Sequence, residues 1–157
     1  MKKIVIGFGG TSTSDGGVGI LRALGAKFLD SFGNELPDGG GALLNLQKIE
    51  FNIEPKIKDV EFILATDVDT KLLGVNGAIV TFSPQKGADE NALEILTKGI
   101  ENLARIIKKA TGVDIDSFVG GGAAGGIAAT MAGVLGAKII SGAQFIIEKN
   151  NLDELIE

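Results

Sequence analysis

The sequence predicts an α/β fold, a layered sheet with helices packed on it, in a single domain over residues 1–157. Two short apolar runs, residues 4–6 and 60–65, have the length and side chains of buried strands. Helical periods alternate with them. The clearest is residues 89–111, where Leu93, Leu96, Ile100, Leu103 and Ile107 recur three and four apart and so share one helix face.

In chain order, the first strand ends in glycine and runs into a loop, Gly9-Gly10-Thr11-Ser12-Thr13-Ser14-Asp15-Gly16-Gly17. Residues 18–24 follow as a helix closed by Gly25, with Ser14 or Asp15 as its N-cap. Residues 26–29 are a strand candidate and 32–35 a turn. Residues 36–47 hold three consecutive glycines and no period, which reads as loop with at most one helical turn. The strand at 60–65 delivers Asp67 just beyond its C-terminal end, whereas 78–82 has strand propensity yet is short enough to be helical. In the helix at 89–111, Asp89 can cap the start and Gly112 the end, and Glu94 with Lys98 and Glu101 with Arg105 are favourably spaced pairs. Residues 123–135, rich in Ala and Gly, form a helix able to approach a sheet closely. Residues 138–147 read as strand and 152–156 as a last short helix.

Hydrophobic residues make up 45% of the 157, enough for one core, and a domain of this size buries about 70% of the surface its unfolded chain exposes. A net charge of −5 without any Lys/Arg cluster excludes a nucleic-acid surface. With no Cys and no His there is no disulfide, thiolate nucleophile, histidine base or Cys/His zinc site. Chemistry must rest on carboxylates, Lys, Arg, hydroxyls and backbone N–H groups. Residues 117–137 carry no charge and are long enough to raise a membrane span. Their glycine content favours a buried helix entered from a loop, so no membrane partner is expected. The N-terminal apolar run is too short for a signal peptide, which makes the cytoplasm the default expectation.

The loop from Gly9 to Gly17 joins a strand to a helix N-terminus, where free N–H groups and the helix dipole favour anions. Thr11, Ser12, Thr13 and Ser14 add hydroxyl donors; the plainer reading is a tight turn capped by Asp15. It lacks the third glycine of G-x-G-x-x-G, and nothing in the chain matches G-x-x-x-x-G-K-[ST]. Gly120-Gly121-Gly122-Ala123-Ala124-Gly125 fits G-x-G-x-x-G, but no strand leads into it and no acid lies about twenty residues on. It is a weak dinucleotide fingerprint, but as a second glycine loop feeding a helix N-terminus it is a candidate anion site. Asp67 and Asp69 could hold a metal–phosphate complex or accept a hydroxyl proton, or simply be solvated or capping. Ser83-Pro84-Gln85-Lys86-Gly87 sets a flexible cation beside a turn.

Together these stretches resemble the type I glycerate kinase family over nearly the whole chain. Gly9 to Gly17 matches that family's GGTATNDGG, Ala23-Leu24-Gly25-Ala26-Lys27-Phe28-Leu29-Asp30 its ALGAKFLD, Pro84-Gln85-Lys86-Gly87-Ala88 its PQKGA and Gly122-Ala123-Ala124-Gly125-Gly126 its GAAGG. The resemblance implies ATP-dependent phosphorylation of D-glycerate, with Mg²⁺ carried on the nucleotide and no tightly bound cofactor. Such a transfer needs positioning and charge stabilisation more than covalent chemistry. By position, Gly9, Gly10, Thr11, Ser12, Thr13, Gly16 and Gly17 would bind the glycerate carboxylate or a phosphate, joined by Gln85, Lys86, Gly120, Gly121 and Gly122. Asp15 or Asp67 would orient or deprotonate the hydroxyl, and no metal ligand is assigned.

The resemblance also implies one domain of a two-domain enzyme whose substrates lie in the interdomain cleft. The expected chain is therefore a central domain, inactive or weakly active until the missing domain, or a second copy in a homo-oligomer, completes the site. The alternative is a non-catalytic folding or interaction module, natural or engineered, derived from that domain. Departures cluster on one segment: where the family reads CDVTNPL, only Asp67, Val68 and Leu72 survive in residues 66–72. Ser14 also replaces an Asn, Gly121 an Ala and Val119 a Pro.

Overall fold

The computed structural model describes residues 2–150. β1 (Lys2–Gly7) leads through the glycine loop to α1 (Val18–Ala23), then to β2 (Ala26–Leu29), a 3-10 turn (Gly40–Asn45) and β3 (Lys48–Phe51). α2 (Pro55–Lys58) precedes β4 (Val60–Ala65). α3 (Ala78–Phe82), a 3-10 turn (Pro84–Lys86), α4 (Glu90–Thr111), α5 (Ile127–Leu135), β5 (Lys138–Ile140) and α6 (Gly142–Lys149) complete the described chain.

β1, β4 and β5 form a parallel sheet in the order β1-β4-β5, with Ile4 opposite Phe62, Ile6 opposite Leu64 and Leu64 opposite Ile139. The period of two sends Phe62 and Leu64 to the same face, where α5 covers them with Ala128 and Met131. α5 can lie close because its surface is small. Its Gly133 passes so near Ile115 that an added Cβ would sit 2.3 Å from that side chain.

The larger apolar cluster lies away from this sheet. β2 and β3 pair antiparallel as a separate ribbon, Phe28 opposite Ile49, and α4 packs its periodic face against that ribbon and the Gly40–Asn45 turn. Leu21, Phe28, Leu43, Leu46, Ile100, Leu103 and Ile107 are completely or almost completely buried there. Each such side chain contributes about 1.5–3 kcal/mol of transfer free energy. Asp89 caps α4 by accepting the Ala92 N–H at 2.8 Å, and Gly112 ends it at φ 78°. Glu94 pairs with Lys98 across one turn, but Arg105 reaches the Asn102 amide oxygen at 2.6 Å rather than Glu101.

Several sequence-based boundaries are corrected. The expected strand over 138–147 stops at Ile140, because Ser141 accepts the Gln144 N–H and starts α6. The expected helix at 123–135 begins only at Ile127; Ala124 and Gly125 take left-handed backbone conformations that interrupt it. Residues 78–82 are helical, and β3 is a strand without a clear local signal, visible only as the partner of β2. Ser14 does not cap α1: its hydroxyl lies 2.9 Å from that of Ser83. The helix expected at 152–156 lies outside the described residues.

Candidate functional site

The carboxyl ends of β1 and β4 are adjacent because the two strands are parallel neighbours, and the residues following each come together. Phe8 stays in register with β4 through its N–H to the Ala65 carbonyl, 3.0 Å, after which the chain leaves the sheet. A cavity of about 150 Å³ opens there, walled by Phe8 to Thr11, by Thr66 and Val68, by Phe82, Gln85 and Lys86, and by Ala123 to Gly125.

Two ties fasten the loop to the segment that carries Lys86. The Ser14 and Ser83 hydroxyls meet in a partly buried contact, and the Lys86 ammonium donates to the Thr13 carbonyl. Gly87 then turns the chain at φ 94°, a conformation open to glycine at little cost. The second glycine loop locks against the first: Gly16 donates its N–H to the Gly125 carbonyl at 3.0 Å. A Cβ on Gly125 would sit 2.2 Å from the Thr13 carbonyl oxygen, so glycine is required by packing as well as by its φ of 67°.

Partial burial holds the Lys86 ammonium below the ordinary lysine value, while the nearby Asp15 charge pulls it back up. A cation that has lost solvent and, among the described residues, spends one of its three donors on the protein is prepared to meet an anion. Asp15 itself is occupied. Its carboxylate accepts the N–H groups of Gly17 at 3.0 Å and Gly19 at 3.4 Å, which takes up donors at the start of α1 that the sequence offered to an anion. Gly9 and Gly10 are exposed and unobstructed, leaving the cavity side of the loop as the open part.

Asp67 lies outside the cavity wall. Its carboxylate receives the Ser141 hydroxyl and the Ala143 N–H, both at 3.0 Å, and so joins the end of β4 to the start of α6. Those backbone and hydroxyl donors hold it below the usual carboxylate range. Asp69 is exposed, and its carbonyl, not its carboxylate, accepts the Gly120 N–H. Among the described residues no three acidic side chains gather to hold a metal ion.

Of the residues singled out from sequence, Gly9, Gly10, Thr11, Gln85 and Lys86 are brought together on the cavity wall. Thr13, Gly16 and Gly17 lie behind it as supports, and Ser12 is exposed beside them. Gly120, Gly121 and Gly122 are buried, with Gly120 and Gly122 bonded to the carbonyls of Asp69 and Thr70, and hold the 66–72 segment in place. Sequence reasoning did not single out Phe8, Thr66, Val68, Phe82 or Ala124 for the site. The rule that ligands gather at strand carboxyl ends pointed to the first three, and Ala124 lies within the second glycine loop; no local signal marked Phe82.

The family model described as the glycerate kinase family matches residues 1–157. "Glycerate 2-kinase" of Escherichia coli (strain K12) is 44% identical over 98% of this chain, and "Glycerate kinase" of Halalkalibacterium halodurans is 36% identical over all of it. The matches cover 40% and 42% of those proteins, so the chain spans about two fifths of the curated relatives' length. A crystal structure of a protein named glycerate kinase 2 from Salmonella typhimurium LT2 superposes with a TM-score of 0.90 at 35% identity, over 94% of this chain and 40% of that one. No helix among the described residues is long and apolar enough to cross a membrane. By sequence across its whole length and by fold across nearly all of it, the chain belongs to the glycerate kinase family.

Proposed function

We propose that this chain is the anion-binding part of an ATP-dependent glycerate kinase, holding the glycerate carboxylate or the phosphoryl group in transit while the rest of the family's chain supplies the remainder of the site. The observation that carries this reading is the convergence of Lys86, Gln85 and the open Gly9–Gly10–Thr11 backbone on one small cavity beyond parallel strand ends. A space of about 150 Å³ suits a three-carbon acid or one phosphate group. A nucleotide, which takes a pocket of roughly 300 Å³ or more, extends beyond it.

In this reading Lys86 neutralises the anion, the glycine loop approaches it closely because no Cβ intervenes, and the two serine hydroxyls keep loop and lysine in register. Asp15 is the carboxylate nearest to that cation in effect, and it orients the acceptor hydroxyl through the loop it caps. Asp67 is a positioning residue, since a carboxylate held below its usual range is a poor proton acceptor. ATP supplies the γ-phosphoryl group, with Mg²⁺ on its phosphates.

Calorimetry and a coupled assay for ADP release test the reading. The chain alone should bind D-glycerate or inorganic phosphate at millimolar concentration and show no turnover, and turnover should arise on mixing with the remaining segments of its relatives. Turnover by the chain alone, lost in Asp67→Ala, would instead make it a complete small kinase. Binding of neither ligand would leave a folding module.

A further inference from the structure

β1 has the side chains of a buried strand, yet it is open to solvent. A parallel sheet is ordinarily covered on both faces, and its strands are apolar for that reason. β4 follows the rule, with Phe62, Ile63 and Leu64 buried. In β1 the residues opposite the first two of these are exposed, Ile4 by 43% and Val5 by 41%. The cause is position: β1 is an outer strand of the order β1-β4-β5, and β4 is its one strand partner among the described residues.

The free edge presents a defined set of donors and acceptors. The Phe8 N–H points to the Ala65 carbonyl, so Ile6, Ile4 and Lys2 also turn their backbone groups towards β4, whereas Lys3, Val5 and Gly7 turn theirs outwards. Beside Gly7 there is open space, since an added Cβ would meet no atom within 4 Å. Natural edges are usually blunted by proline, a bulge or charged side chains. β1 contains no proline and pairs with β4 in unbroken register, and Glu61 draws the Lys3 ammonium across the sheet face at 3.3 Å.

We propose that β1 is a self-association edge, on which a second copy of this chain pairs its own β1 antiparallel about a two-fold axis at Val5. The outward groups and the charges select that register. With Val5 opposite Val5 of the second copy, Lys3 falls opposite Gly7, and every outward N–H and C=O of the strand finds a partner. Ile4 then meets Ile6 as an apolar cross-strand pair, and Lys2 falls opposite Phe8. An axis at Lys3 would set like charges directly against each other, which is unfavourable. An axis at Ile4 would leave the Gly7 groups facing no residue of the second β1. The contact uses the same edge on both copies, so it closes at a dimer.

Sedimentation equilibrium of the full chain tests this. The wild-type mass should rise with concentration and level off at twice that of one chain. Val5→Lys and Val5→Glu, at an exposed position, should each lose the dimer, because two like charges then face each other across the axis. An equimolar mixture of the two variants should regain it, because the register sets the new lysine opposite the new glutamate. Should a charged variant fail to fold, Val5→Pro takes its place, since it removes an outward donor and no bond to β4. A wild-type chain that stays monomeric up to millimolar concentration overturns the proposal and leaves the edge to a strand from another protein segment. A dimer that survives these substitutions, or a mixture that stays monomeric, also overturns it.

Discussion

The ammonium of Lys86 donates to the backbone carbonyl of Thr13, seventy-three residues earlier in the chain, and this contact holds the glycine loop and the Pro84–Lys86 turn together on the wall of one cavity. Replacing the cation without shortening the side chain, as in Lys86→Met, should weaken phosphate or glycerate binding about 10- to 100-fold, the worth of one charge-assisted hydrogen bond. The fold should lose only the tie to Thr13, about 1 kcal/mol, because burial already disfavours the charge there and the Ser14–Ser83 contact remains. Calorimetry with inorganic phosphate, alongside a melting curve, checks both; equal affinity in the two proteins would remove Lys86 from the site.

A pH dependence follows from the same residue. The folded protein holds Lys86 below the ordinary lysine value, so in the window between its lowered pKa and that value the folded state carries fewer protons than the unfolded one. An anion stabilises the ammonium and raises its pKa again. Binding in that alkaline window should therefore take up protons and weaken as pH rises. Calorimetry in two buffers of different ionisation enthalpy reads the uptake directly, and Lys86→Met should abolish it.

Asp67 ties β4 to α6 through Ser141 and Ala143, with its carboxyl held below the usual range. A depressed carboxylate contributes stability that is complete above the unfolded-state pKa and lost as pH falls through the folded one. Asp67→Asn, which keeps the acceptor and removes the charge, should destabilise the protein at pH 7 and differ little from wild type at pH 2–3. Urea titrations at both values test this, and a difference that is the same at each would show that charge plays no part.

Gly99 opposes helix propensity to packing. In the middle of α4, alanine is about 1 kcal/mol more favourable than glycine when the position is free. Here an added Cβ would sit 2.8 Å from the Gly40 carbonyl oxygen and 3.2 Å from the Leu43 Cβ. Overpacking costs about 1–3 kcal/mol, so Gly99→Ala should lower the stability measured by chemical denaturation.

Asn102 bonds the turn that α4 packs against. Its amide donates to the carbonyls of Leu43 at 2.8 Å and Leu46 at 2.9 Å, both on residues that are themselves buried. Asn102→Ala removes the amide from the partly buried Leu46 carbonyl and leaves that of Leu43 with the Leu46 N–H alone, and should cost about 1–3 kcal/mol in the same denaturation experiment. A loss below about 0.5 kcal/mol would mean that water replaces the amide.

How much was legible in the sequence depends on how local the cause was. The helix over 89–111 was readable because its apolar period, its Asp89 cap and its Gly112 stop all lie within one segment, and the structure gives Glu90–Thr111. β1 and β4 were readable for the same reason, and with them the place where ligands gather. The end of β5 was not. Residues 145–147 are apolar and suited to either state, and the Ser141 cap together with Asp67 from beyond the end of β4 tips the segment to helix.

The sequence by itself determined the family, the strand–helix alternation and the absence of histidine and cysteine chemistry, because composition, period and motif order are properties of the chain. Tertiary structure decided which matched residues share a cavity. It gathered Gly9, Gly10, Thr11, Gln85 and Lys86, set Gly120, Gly121 and Gly122 behind them as packing, and engaged both candidate carboxylates with N–H groups. The physical reason is that a side chain's role follows from its hydrogen-bond partners, and for Lys86, Asp67 and Gly125 those partners come from segments that only folding brings within reach.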